Sequence, residues 1–117
     1  MELFEELRAL GVDIDDGMKR LMNNEGLYKR MLGLFVKTLK SQYVPVDFDA
    51  VDCTEAIEKA HSIKGTAGNL SITPLYEAYN EILTLLRTGK PEEARPILER
   101  IIPVQNEIMA CIEKHMA

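Results

Sequence analysis

Ala56-Ile57-Glu58-Lys59-Ala60-His61-Ser62-Ile63-Lys64-Gly65-Thr66-Ala67-Gly68-Asn69-Leu70 is the stretch on which the reading of this chain turns. Ala56, Ala60, Ile63, Ala67 and Leu70 recur at spacings that stack on one face of an α-helix. Most of that stripe is alanine, so neighbouring helices can pack close to it. His61 lies one step on from Ala60, beside the stripe. It shares a second face with Ile57, Lys64, Gly65 and Gly68, because residues three and four apart are neighbours on a helix. Glycine inside a helix costs about 0.5–1 kcal/mol against alanine, so two on one face call for a reason. The reason expected here is access: with no side chains at Gly65 and Gly68, the imidazole of His61 stands clear. Close helix packing is the alternative reading of the two glycines, and the wheel argues against it for Gly65, which lies off the core stripe.

Outward from this helix the spacing stays helical and no segment alternates with period two. Towards the N-terminus, Asp52 with Glu55 reads as a capping pair for the His61 helix. Val44-Pro45 stops a helix expected over Glu25 to Tyr43. Its apolar face is read as Leu27, Met31, Leu34 and Thr38 with the adjacent Tyr28, Phe35 and Leu39. Asn23-Asn24 breaks a short helix that Asp13 caps, and Gly11 ends a first helix over Glu2 to Leu10 with Leu3, Phe4, Leu7 and Leu10 inward. Towards the C-terminus, Thr73-Pro74 reads as an N-cap and first helical residue. Leu75, Ala78, Tyr79, Ile82 and Leu86 line that helix. Gly89 closes it and Pro91 opens the last, whose stripe is Ala94, Ile97, Ile101, Val104, Ile108 and Cys111. Pro96 and Pro103 are expected to kink it. The fold class is therefore all-α: an antiparallel up-down four-helix bundle with short capping N-terminal helices, one domain over residues 1–117.

With 117 residues and a formal net charge of −5, nucleic acid and anionic membranes are disfavoured as partners. No apolar run reaches the roughly 20 residues that span a bilayer. The acidic start has no signal-peptide pattern, and Cys53 and Cys111 read as reduced thiols in a cytoplasmic protein, with Cys111 inert on its apolar stripe. The starting methionine favours a free-standing chain. A monomer is expected, because a dimer must leave the histidine face free.

An exposed histidine beside a lysine suits nucleophilic chemistry. Acid–base catalysis needs a pocket and a second titrating group, and Glu55 and Glu58 make no paired arrangement with His61. Metal binding needs several ligands; the other histidine, His115, is near the chain end and neither cysteine reads as lying at a ligand spacing, so no metal site is expected. A neutral imidazole can attack a phosphoryl group, and the ammonium of Lys64 can meet the charge of the phosphohistidine. The chain has no P-loop and no carboxylate cluster suited to Mg²⁺. It is read as a phosphoryl carrier without kinase or ATP-binding machinery, not an enzyme, and catalysis of transfer must come from a partner.

His61-Ser62-Ile63-Lys64-Gly65-Thr66-Ala67-Gly68 resembles the signature of histidine-containing phosphotransfer (HPt) domains, with Ala60, Leu70 and Leu75 in keeping. Asp13 to Leu21, with Tyr28 and Phe35, is similar to the lead-in helices of HPt domains associated with bacterial hybrid sensor kinases. The resemblance implies a bundle that relays phosphoryl groups between receiver-domain aspartates. His61 would carry the group, Lys64 would steady its charge, and Gly65 and Gly68 would clear the receiver, with Ile57 either a boundary residue or an apolar dock. The implied partners are receiver domains of response regulators or hybrid sensor kinases. This chain would bind no cofactor, and Mg²⁺ would sit in the receiver. Ser71 departs from the pattern, since many members have a third glycine there. The motif also resembles the phospho-accepting domain of chemotaxis-type histidine kinases. A phosphorylation-dead helical scaffold is the reading from a different class.

Overall fold

Asp13 and Asn24 start two helices by the same device: Asp13 Oδ1 accepts from the N–H of Asp16 at 3.1 Å, and Asn24 Oδ1 from that of Leu27 at 3.0 Å. Each satisfies an N–H that has no partner within its helix. The computed structural model describes residues 2–116 and contains six helices among them: α1 (Glu2–Ala9), α2 (Ile14–Arg20), α3 (Glu25–Ser41), α4 (Thr54–Asn69), α5 (Thr73–Arg87) and α6 (Pro91–Met116). No strand occurs among the described residues. Met22 and Asn23, both with φ near +58°, make the break between α2 and α3.

The four longer helices close on one another: α3 packs on α4, α4 on α5, α5 on α6 and α6 back on α3, while α1 and α2 lie against α6 and α3. Leu70-Ser71-Ile72 and Thr88-Gly89-Lys90 are three-residue connections, and the helices that each joins pack on one another. At 1.5 Å per residue α6 is about 39 Å long, close to the 44 Å long axis of the molecule. It carries Pro96 and Pro103 without a break. Both prolines are exposed, so each missing N–H falls on the solvent side.

The interior is one cluster of aliphatic side chains with Tyr28, Phe35 and Tyr79 at its centre. All five inner positions expected for α5 are buried, as are those of α4. In α3 the buried face is turned by about one residue from the expected one. Leu32, Phe35, Val36 and Leu39 are inside with Tyr28, whereas Leu34 is 45% exposed. Buried polar groups are paired: the Tyr79 hydroxyl donates to Gln105 Oε1 across α5 and α6, and the Tyr28 hydroxyl to the Leu70 carbonyl at 2.8 Å. Burial pushes both phenols well above their ordinary pKa.

Two helix starts differ from the sequence reading. Asp52 precedes the N-cap Cys53, accepting from the N–H of Thr54 at 3.1 Å, and Glu55 pairs with Lys59 at 2.8 Å instead of closing a capping box. Thr73 is the first residue of α5 and Ile72 its N-cap. The loop between α3 and α4 is tied to α6 by Arg95, whose guanidinium donates to the carbonyls of Val46 and Phe48 and stacks 4.3 Å from the Phe48 ring centroid.

Candidate functional site

Helix α4 presents its alanine stripe inward and a second face outward. Ala56, Ala60, Ile63 and Ala67 are buried, and His61, one residue from Ala60, is exposed. Among the described residues His61 makes no side-chain hydrogen bond and no ion pair. It is mid-helix, so its neighbouring backbone N–H groups are spent within α4 and offer an anion nothing. Ile57, one turn earlier, is half-buried and packs on the core.

Lys64, one turn after His61, is half-buried, and its Nζ lies 5.9 Å from the centroid of the Tyr76 ring on α5. It has no carboxylate partner among the described residues. An exposed cation–π contact is worth about 0.5–1 kcal/mol. The ammonium is thus held over the Tyr76 ring by a weak attraction alone. Tyr76 itself is 39% exposed. It was not among the residues singled out from sequence, although one signal was present: it stands off the inner stripe of α5, an aromatic ring on a polar face.

The two glycines of the motif differ. A Cβ built on Gly65 meets nothing within 4 Å, so no internal contact requires glycine there. A Cβ on Gly68 lies 3.0 and 3.1 Å from Cδ1 and Cε1 of Tyr76. Gly68 lets the aromatic ring come close to α4, the packing role that the sequence reading kept as the alternative to access. Gly65 is the open position. Together they floor a groove that Asp16 and Arg20 of α2 and Tyr76 of α5 complete.

The C-terminus of α4 fixes α2 beside this groove. Ser71 adopts φ +56°, the left-handed conformation that favours glycine at the position after a helix C-cap. Its N–H donates to the Gly68 carbonyl at 3.2 Å and that of Ile72 to the Ala67 carbonyl at 2.9 Å, the two bonds of a Schellman end. What glycine supplies by freedom, serine offsets by bonding: its hydroxyl donates to Asp16 Oδ2, and its carbonyl accepts from Asp13 N–H at 2.9 Å. Asp16 also holds Arg20 at 2.8 Å, and these bonds keep its carboxyl below the usual range. Gly17 packs so closely that an added Cβ would lie 2.7 Å from both the Leu70 carbonyl oxygen and the Tyr28 ring.

His115 is placed differently. It is half-buried at the end of α6, with Nε2 2.6 Å from Glu6 Oε2 on α1. Cys111 lies one helical turn before it, with Sγ 3.4 Å from the same oxygen. The sequence reading found no ligand spacing for the cysteines. That is corrected here: Cys111 and His115 are four residues apart on one helix face.

No helix among the described residues is long and apolar enough to cross a membrane. A family model described as "Hpt domain" matches residues 2–114. No curated protein and no solved structure matches.

Proposed function

The chain belongs to the Hpt domain family, whose members carry phosphoryl groups on a histidine in two-component signalling and are not kinases, and from this premise we propose that it relays a phosphoryl group between receiver-domain aspartates through His61. An imidazole nitrogen of His61 attacks the phosphorus of an aspartyl phosphate in line. The N–P bond forms as the P–O bond to the aspartate breaks, and the carboxylate leaves. A second receiver reverses the step with its own aspartate. Positioning and charge neutralisation carry such a transfer, and this chain contributes three things to it. His61 is exposed and, among the described residues, free of side-chain partners. Gly65 leaves the space one turn below it open. Lys64, released from Tyr76, supplies a mobile positive charge. Mg²⁺ and the remaining charge stabilisation come from the receiver, whose docking also involves Ile57 and the groove at Gly65 and Gly68. The domain acts as a monomer in the cytoplasm, and its complexes are transient.

The observation that carries this reading is the pairing of an exposed, unpartnered histidine with a helix glycine that no internal contact requires. The test is transfer from a phosphorylated receiver in the presence of Mg²⁺. Acid-labile label appears on the wild type and is absent from His61→Gln. Label obtained from a kinase domain with ATP but from no receiver would replace this reading with a chemotaxis-type acceptor, and no label from any donor would leave a helical scaffold.

A further inference from the structure

We propose that Glu6, Cys111 and His115 form a binding site for a divalent metal ion of the zinc class, which clasps α1 to the last turns of α6. One ligand atom from each lies within 4.8 Å of the other two, and the three are an oxygen, a sulfur and a nitrogen. Thiolate and imidazole together select zinc over magnesium or calcium, which take oxygen ligands. The site is separate from His61, which is on α4.

The arrangement has the parts a metal site needs. Cys111 and His115 come from one helix face at a spacing of four residues, so α6 presets their separation. Glu6 is brought in by the packing of α1 on α6. Its two oxygens have divided tasks: Oε1 is held by Lys114 Nζ at 2.8 Å, and Oε2 faces both His115 and Cys111. Lys114 therefore orients the carboxylate from outside, as the partners of ligating groups do in metal sites. Zinc bonded tetrahedrally at about 2.0–2.3 Å sets its ligands about 3.4–3.6 Å apart. The Sγ to Oε2 distance is already 3.4 Å. The Nε2 to Oε2 distance of 2.6 Å must open by about 0.8 Å to reach that geometry. His115, in the final turn of α6, makes the move by a small rotation of its side chain. The side chain of Glu6 is 42% exposed, so water can supply the fourth ligand. A shallow, largely apolar groove along Leu10, Ala110 and Cys111 gives the ion a path to the sulfur.

The test uses the whole chain with Co²⁺ as a spectroscopic probe and Zn²⁺ as competitor. Co²⁺ should bind one ion per chain and give the charge-transfer absorption of a thiolate-bound tetrahedral centre, displaced by Zn²⁺ but not by Mg²⁺. Cys111→Ser should remove that absorption and Cys53→Ser should keep it. His115→Gln should weaken Zn²⁺ binding at least tenfold. Zn²⁺ should raise the thermal midpoint of the wild type and leave that of His115→Gln in place. Circular dichroism of the metal-free variants separates loss of the ligand from loss of the fold. An absorption that survives Cys111→Ser, Zn²⁺ affinity unchanged in His115→Gln, or no thiolate absorption in the wild type overturns the proposal.

Discussion

The two histidines of this chain occupy opposite environments. His61 sits mid-helix on α4, exposed and without a side-chain partner among the described residues. His115 sits at the end of α6, half-buried and held by Glu6, beside Lys114 and Cys111. The same ring is left free in one place and tied down in the other. A nucleophile has to reach into another protein's site, so it gains from isolation. A histidine that joins two helices gains from partners. The neighbours follow the same division. Around His61 the chain gives up helix stability at Gly65, where alanine would fit. Around His115 it gathers an ion pair, a thiol contact and the packing of α1.

The strongest way to break this contrast is to ask which histidine is modified. Peptide mapping of the wild type after transfer from a phosphorylated receiver should place the label on His61 and none on His115. His61→Gln should lose all of it. Label on His115 would reverse the assignment of the two environments.

The next largest effect is on transfer rate at Gly65. A Cβ there meets nothing within 4 Å, so Gly65→Gln should leave the fold intact yet obstruct the receiver. Displacing reacting groups by even an ångström can cost about a hundredfold, and a ten- to hundredfold slowing is expected in rapid-quench kinetics. Gly65→Ala should at the same time raise stability by about 0.5–1 kcal/mol in urea unfolding, the ordinary gain for alanine in a helix. A site where alanine adds stability and a longer side chain removes activity is kept for a partner. If Gly65→Gln transfers at the wild-type rate, the open surface has no bearing on docking.

Gly17 should behave in the reverse sense. Its added methyl group would press on the Leu70 carbonyl and the Tyr28 ring at 2.7 Å. Backbone does not yield cheaply, so Gly17→Ala should destabilise by about 1–3 kcal/mol, read from the same unfolding curves. Gly68 falls between the two. Its methyl would push the exposed Tyr76 ring by a few tenths of an ångström, and the helical preference for alanine offsets part of that strain. In Gly68→Gln the displaced ring takes its contact with Lys64 away, so slower transfer there reports on Tyr76 as well as on clearance.

The all-helical architecture and the family were legible because apolar periodicity and helix-end chemistry agree along the chain. Asp13, Asn24, Pro74, Gly89 and Pro91 each stand where a helix starts or stops. The outward face of α4 was legible for the same reason, since an alanine stripe leaves little choice of inner side. The face of α3 was not. Leu27, Met31, Leu34 and Thr38 form one row and Tyr28, Leu32, Phe35 and Leu39 the next, and both rows are apolar enough to go inside. Packing against α4 and α6 chose the second. Packing at Gly68 was legible as an alternative, but its partner was hidden because Tyr76 belongs to another helix. The meeting of Glu6 with Cys111 and His115 was hidden because it joins the two ends of the chain, and periodicity carries no information about which helices become neighbours.

The smallest effect concerns Asp16, which joins α2 to the end of α4 and so belongs with the tied-down regions. Its carboxyl is held below its ordinary value of 3.8, first by the Arg20 bond and then by the Ser71 hydroxyl. A carboxyl with a lowered folded pKa adds stability above its unfolded value and loses it as pH falls through the folded one. Asp16 and Arg20 are both about half exposed, so water screens the pair and the contribution is modest. Asp16→Asn should therefore melt slightly below the wild type at pH 7, and the difference should close as the pH is brought below about 4. A melting-point gap for Asp16→Asn that stays constant down to pH 3 would mean that the bonds to Arg20 and Ser71 contribute through shape alone. A gap that closes would show that α2 is pinned beside the groove by charge.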